Sequence, residues 1–218
     1  MTRWNKVYQK EGNKFTSKIN NWNEVVNFFR EKAVKSILDL GCGNGNHTFD
    51  LAQKGFVTTG FDISQEAIQL AEEKFQQTKL IGNFFVGTMH QKLPFKDNSF
   101  EAVICLRTLN HGKKDQVQKT INESWRILKP KGYVFISTIK ILGPKNSQGK
   151  VVLNQMPVNF IAPYTYQPLE GKEIGITHFI FNKKTLLKMF GKFKLVNFWL
   201  DIGERHWEKY YCLLAQKN

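Results

Sequence analysis

Asp39 and the three alternating glycines behind it are the residues whose types and spacing could do chemistry. Ile37-Leu38-Asp39-Leu40-Gly41-Cys42-Gly43-Asn44-Gly45 runs from an apolar strand through an acid into a turn, and Asn46-His47-Thr48-Phe49 opens a helical pattern. Glycine has no Cβ, so such a turn brings bare backbone against a ligand at the strand end. About twenty residues on, as in nucleotide-binding βαβ units, Gly60-Phe61-Asp62-Ile63-Ser64 closes a second strand. Asp62 there can accept both hydroxyls of a ribose lying across the strand ends. Its other use would be as a helix N-cap, a place Ser64 already fills.

The glycine spacing is Gly41-x-Gly43-x-Gly45 rather than the G-x-G-x-x-G of dehydrogenases, because Asn stands at position 46. An acid two residues before the first glycine would oppose a pyrophosphate and suits a cationic head instead. S-adenosylmethionine meets that requirement, with a nucleoside, a sulfonium and an α-amino group. A nicotinamide-dependent oxidoreductase would need the other glycine spacing and gives no use for Asp39.

Four segments then resemble, in order, those of class I S-adenosylmethionine-dependent methyltransferases of the type 11 group. They are the glycine motif from Leu38 to Gly45, Gly60 to Ser64, Leu93-Pro94-Phe95-Lys96-Asp97-Asn98-Ser99-Phe100, and Trp125-Arg126-Ile127-Leu128-Lys129-Pro130-Lys131-Gly132-Tyr133. The resemblance covers about Val34 to Ile139 strongly and the flanks more weakly. It implies that Gly41, Cys42, Gly43, Asn44 and Gly45 line the methionine part of the cofactor with Asp39 beside them. It also implies that Asp62 and Ile63 meet the ribose, that Thr88 and Met89 lie beside adenine, and that Leu106 lines the pocket. Relatives often carry Asp where this chain has Thr88, whose hydroxyl can still accept a hydrogen bond. Tyr8 and Trp4 resemble N-terminal aromatics that fold over the cofactor, with plain packing as the other reading.

Methyl transfer is an in-line displacement, so positioning supplies much of the acceleration. A base is needed only where the acceptor must lose a proton. Arg107, Asn110 and His111 follow the fourth strand, where the transferred methyl would lie. His111 is a candidate base or substrate contact, or else a helix-start residue bonded to backbone. Arg107 is a candidate clamp for a carboxylate or phosphate, or a surface cation. His178, Tyr164 and Tyr166 are candidates on a lid. The histidines and the scattered Cys42, Cys105 and Cys212 show no metal-ligand spacing, so no metal is expected.

The elements that must position these residues follow from periodicity. Short apolar runs alternate with amphipathic stretches, which argues a doubly wound, Rossmann-like α/β fold. The expectation is a mostly parallel seven-stranded sheet, its last strand antiparallel, with helices on both faces. Strands are predicted at Val34–Leu40, Phe56–Ile63, Asn83–Thr88, Glu101–Leu106 and Tyr133–Ile139, and a closing hairpin at Lys194–Leu200 and Tyr210–Gln216. Predicted helices have stripes of Trp22, Val25, Val26 and Phe29; of Ala67, Leu70, Ala71 and Phe75; and of Val117, Ile121, Trp125 and Leu128. Pro130-Lys131-Gly132 is read as the turn that ends the last of these.

One domain of 1–218 is expected, with a helical cap at 1–33, a cofactor core at 34–140, a substrate or lid insertion at 141–178 and a C-terminal helix and hairpin at 179–218. The insertion holds four of the six prolines and is long enough to suggest a functional loop. The chain has 218 residues, a net charge of +14, 41% hydrophobic residues and no apolar start or spanning run, so a cytoplasmic enzyme is expected. The expected partner is a small-molecule acceptor. The charge keeps a tRNA open as the alternative, because the segment ending in Asn110-His111 also resembles enzymes that esterify a modified wobble uridine. A cofactor-binding scaffold without turnover is a further reading. The oligomeric state is left open.

Overall fold

Strand alternation builds the core of this chain from the inside. In a strand successive side chains face opposite sides of the sheet. Leu38 and Leu40 join one apolar cluster while Ile37 joins the other; Val103 and Cys105 oppose Ala102, Ile104 and Leu106; Val134 and Ile136 oppose Phe135. Both faces are therefore buried, which requires helices on each. The computed structural model describes residues 2–12, 19–140, 152–153, 156–203 and 208–218.

The chain begins with helices α1 (Arg3–Glu11) and α2 (Trp22–Glu31). The units that follow are β1 (Ser36–Leu40), α3 (Asn46–Gln53), β2 (Val57–Asp62), α4 (Gln65–Thr78), β3 (Asn83–Val86), β4 (Phe100–Leu106), α5 (Lys114–Ile127) and β5 (Leu128–Ile139). A second set of strands, β6 (Val152–Leu153), β7 (Met156–Ala162), β8 (Thr165–Pro168) and β9 (His178–Phe179), precedes α6 (Lys183–Met189). The chain closes with β10 (Phe193–Ile202) and β11 (Lys209–Lys217).

Seven strands form one sheet in the order β10-β11-β5-β4-β1-β2-β3. The pairs among β1 to β5 are parallel, and β11 runs antiparallel to both β5 and β10. The order reverses at β1, whose neighbours are β2 and β4. In open α/β sheets the crevice at such a switch point is where ligands bind. One apolar cluster packs α2 and Leu51 of α3 on one face, and the other packs α5 and α6 on the opposite face.

Three readings of the sequence need correction. Leu70 is only half-buried, and Ile68 takes its place on the inner face of α4. The inner face of α5 carries Thr120 and Ser124, with Trp125 half-buried; the hydroxyls return bonds to backbone carbonyls one turn earlier and so tolerate burial. Pro130-Lys131-Gly132 does not end α5, which stops at Ile127. Instead it forms an excursion within β5, between the pairs Phe100 with Leu128 and Ala102 with Tyr133. The expected N-terminal cap is two helices with 13–18 outside the described residues; much of the expected insertion (141–151 and 154–155) and His206 also lie outside them.

Candidate active site

β1 and β2 end side by side, and their last residues fix the glycine turn. Gly41 N donates to Phe61 O at 2.7 Å, and the Asp62 carboxylate accepts from Gly43 N and from Ser64 N, each at 2.9 Å. Ser64 caps α4 through Ala67 N, so Asp62 braces the loop between strand and helix. Asp39, at the end of β1, accepts from the Thr48 hydroxyl at 2.7 Å across the first turn of α3. Gly43 has φ of +55°, and a Cβ there would fall on the Tyr8 hydroxyl. The turn needs glycine for both backbone and space.

Asp39 and Asp62 are both buried. Burial pushes the Asp39 carboxyl up to about 7, Thr48 partly opposing it and Asp62 adding to it. Burial likewise raises Asp62, against the backbone N–H groups that favour its charged form. None of the ion pairs among the described residues involves either acid. Two adjacent buried carboxylates without a cationic side chain favour a positive charge beside them. Each Asp62 oxygen already takes one N–H and retains a lone pair for a ribose hydroxyl.

Helix α1 roofs this turn. Thr2 caps it, Arg3 Nη1 donates to Ile174 O at 2.7 Å, Lys172 pairs with Glu11 at 2.7 Å and Gln9 reaches Glu66 of α4 at 2.9 Å. Tyr8 is buried under it, and that burial, with Asp62 nearby, raises its phenol well above the usual range.

Two adjoining cavities lie beneath. The smaller, of about 100 Å³, is lined by Asp62, Ile63, Thr88, Met89 and His90 with Trp4 and Tyr8. The larger, of about 340 Å³, is lined by Asp39, Cys42, Gly43, Asn44, Leu106, Arg107, Asn110 and His111, and by Tyr166, Glu173, His178 and Tyr210. Gly41, Trp4, Tyr8, Thr108 and His111 border both. Gly45 and the lid candidate Tyr164 are the exceptions among the residues read from the sequence: Tyr164 is exposed and lines neither cavity, and Gly45 serves packing. Gly45 also lines neither cavity; at φ +71° it starts α3, and a Cβ on it would lie 2.8 Å from Ala71 Cβ. It lets α3 and α4 approach.

The Arg107 guanidinium lies over the Tyr210 ring, 4.1 Å from its centroid. His111 is not at a helix start: α5 begins at Lys114, and His111 forms an isolated antiparallel bridge with His178. Its ring lies 4.9 Å from Trp4 and 4.8 Å from His178. Burial, reinforced by His178 and His90, holds His111 well below the usual imidazole range; burial holds His178 down to about 4. The half-buried Glu173 carboxyl is pushed up to about 7 by the same cause. Sequence reasoning missed Glu173, Thr108 and Tyr210. A lone acid in a loop and a tyrosine in the last strand carry no local signal of function.

Fold and site resemble those of class I methyltransferases of the S-adenosylmethionine-dependent kind. Residues 37–132 match the methyltransferase domain family. The chain superposes on a SAM-dependent methyltransferase from Methanosarcina mazei with a TM-score of 0.66 and 25% identity, covering 84% of this chain and 92% of that one. The fold also matches the 1,6-didemethyltoxoflavin-N1-methyltransferase of Burkholderia thailandensis, at a TM-score of 0.73, 15% identity and 98% and 84% coverage. That structure holds 1,6-didemethyltoxoflavin and S-adenosylhomocysteine. Squalene methyltransferase 1 of Botryococcus braunii is 34% identical over 139 residues, 61% of this chain. The match takes in 36% of that enzyme, so the chain spans well under half the length of such curated relatives. The cofactor is S-adenosylmethionine, and the uncompensated acids fit its charge.

Proposed function

We propose that the chain transfers a methyl group from S-adenosylmethionine to a small-molecule acceptor held in the larger cavity. The observation that carries this reading is the shared wall: Gly41, Thr108 and His111 border both the ribose-side cavity and a cavity lined by α1 and the β8–β9 segment. An acceptor that fits beneath such a roof is small. The named relatives act on squalene and on a toxoflavin precursor. A tRNA has only the basic charge and the resemblance of the segment ending in Asn110-His111 behind it.

When bound, S-adenosylmethionine supplies a methyl already activated by its sulfonium; the acceptor–carbon bond forms as the carbon–sulfur bond breaks and its electron pair passes to sulfur. The chain's residues do the rest. Asp62 accepts the ribose hydroxyls, and Asp39 faces the cationic end of the ligand. Cys42, Asn44, Ile63, Thr88, Met89 and Leu106 shape the pocket, and Tyr8 with Trp4 excludes water above it. Arg107 supplies a fixed positive charge to an anionic substituent of the acceptor, and His111, neutral at pH 7, meets the acceptor's reacting atom.

Incubation with methyl-labelled cofactor and either bulk tRNA or a metabolite extract tests this. Label is expected in the small-molecule fraction; label on tRNA, or in neither with the cofactor bound, overturns it.

A further inference from the structure

The larger cavity carries a side-chain cluster that methyl transfer by positioning alone does not require. His111, Glu173 and His178 each offer a donor atom, all within 4.8 Å of one another. We propose that these three residues form a divalent-metal site of the zinc type, open to the acceptor cavity. Two imidazoles and a carboxylate are a nitrogen-and-oxygen donor set that suits zinc and its first-row neighbours.

The geometry of one pair carries the argument. His178 Nε2 and Glu173 Oε2 stand 3.2 Å apart. Two donors each about 2.0 Å from a tetrahedral ion stand about 3.3 Å apart. Yet Nε2 makes no hydrogen bond, although it is fully buried, and His111 Nδ1 is likewise buried without one. Buried imidazole nitrogens that make no hydrogen bond are rare and call for an explanation, which the Glu173 contact alone does not give. An ion between them provides one.

The surroundings hold both histidines as outer-shell groups hold metal ligands. Gly112 N donates to Thr177 O and Phe179 N to Asn110 O, each at 2.7 Å, bracketing the bridge between His111 and His178. Tyr166 stacks on the His178 ring at 5.0 Å between centroids. The Asn110 amide lies 3.2 Å from His178 Nδ1. With its oxygen turned to that nitrogen it accepts the Nδ1–H and leaves the Nε2 lone pair for the ion.

Three protein donors leave coordination positions open, as in catalytic rather than structural zinc sites. The open side would take an oxygen of the acceptor and ease loss of its proton to solvent before the methyl arrives. That role rests on the methyl-transfer reading; the binding of an ion does not.

Titration of the full chain with Co2+, followed by its visible absorption, tests the site. One ion per chain with the spectrum of a low-coordinate, nitrogen-ligated centre is expected, together with a rise in Tm. His178→Ala and Glu173→Gln should each weaken Co2+ binding at least about tenfold, with S-adenosylmethionine binding retained as the check on folding. No Co2+ spectrum in the unaltered chain, or undiminished binding in both variants, overturns the site. Loss of S-adenosylmethionine binding by the unaltered chain would instead overturn the methyl-transfer reading.

Discussion

The Asp62 carboxylate holds the amide of Gly43 at 2.9 Å, joining the end of β2 to the turn that leaves β1. One side chain thus shapes the glycine loop, and the proposed function has it accept a ribose as well. Asp62→Ala should weaken S-adenosylmethionine binding at least about tenfold, since hydrogen bonds to a charged acceptor contribute about 1.5–3 kcal/mol each. Calorimetry measures it, and the unaltered chain should bind S-adenosylmethionine more tightly than NAD. The reverse order would refute the cofactor assignment.

Gly43→Ala should lower stability by about 1–2 kcal/mol for a side chain at positive φ, and more where its Cβ meets the Tyr8 hydroxyl. In a Tyr8→Phe background the steric part shrinks while the backbone part remains. Denaturation of the two single variants and the double variant resolves the two. Equal losses in both backgrounds would mean that Tyr8 does not sit on the turn.

Asp39 gives a pH dependence with a definite sign. Its folded value, about 7, lies above its ordinary one of 3.8. Its contribution to the stability of the ligand-free fold is therefore full below about pH 4 and is lost as the pH rises through about 7. A cationic ligand requires the ionised form. Binding should then release a proton below about pH 7 and weaken by up to about tenfold per unit toward pH 5. Calorimetry in buffers of different ionisation enthalpy reads the proton directly, and affinity unchanged from pH 7 to 5 would exclude Asp39 as the counter-charge.

Arg126 ties the segment before β4 to α5. Its guanidinium donates to Leu93 O, Phe95 O, Asp97 and Glu123. Arg126→Ala should cost about 2 kcal/mol, or about 4–8 °C in Tm. Arg126→Lys should recover little, because an ammonium cannot reproduce the planar fork. Thermal unfolding decides, and a Tm within about 1 °C of the unaltered chain would contradict the network.

Much of the cofactor side was legible because it is local. The strand, Asp39, the glycine turn and the start of α3 are contiguous, and backbone sterics dictate what alternating glycines do after a strand. Asp62 follows by one βα unit, so its place beside Gly43 comes from the parallel pairing of β1 with β2. Gly45 was misplaced because an alternating spacing does not tell which glycine faces a ligand and which faces a helix. That depended on Ala71, in a neighbouring helix.

On the acceptor side Arg107, Asn110, His111, Tyr166 and His178 were named from the sequence, but only the tertiary structure brings them together. Asn110 and His178 are 68 positions apart, and His111 meets His178 through an isolated backbone bridge and a ring contact. No residue spacing encodes that contact, because it arises from how the β7–β9 strands dock over the strand ends. The sequence by itself determined the turn, the acids and the alternating strands, all set by short-range geometry. The cavity and the His111, Glu173 and His178 cluster exist only where distant segments pack.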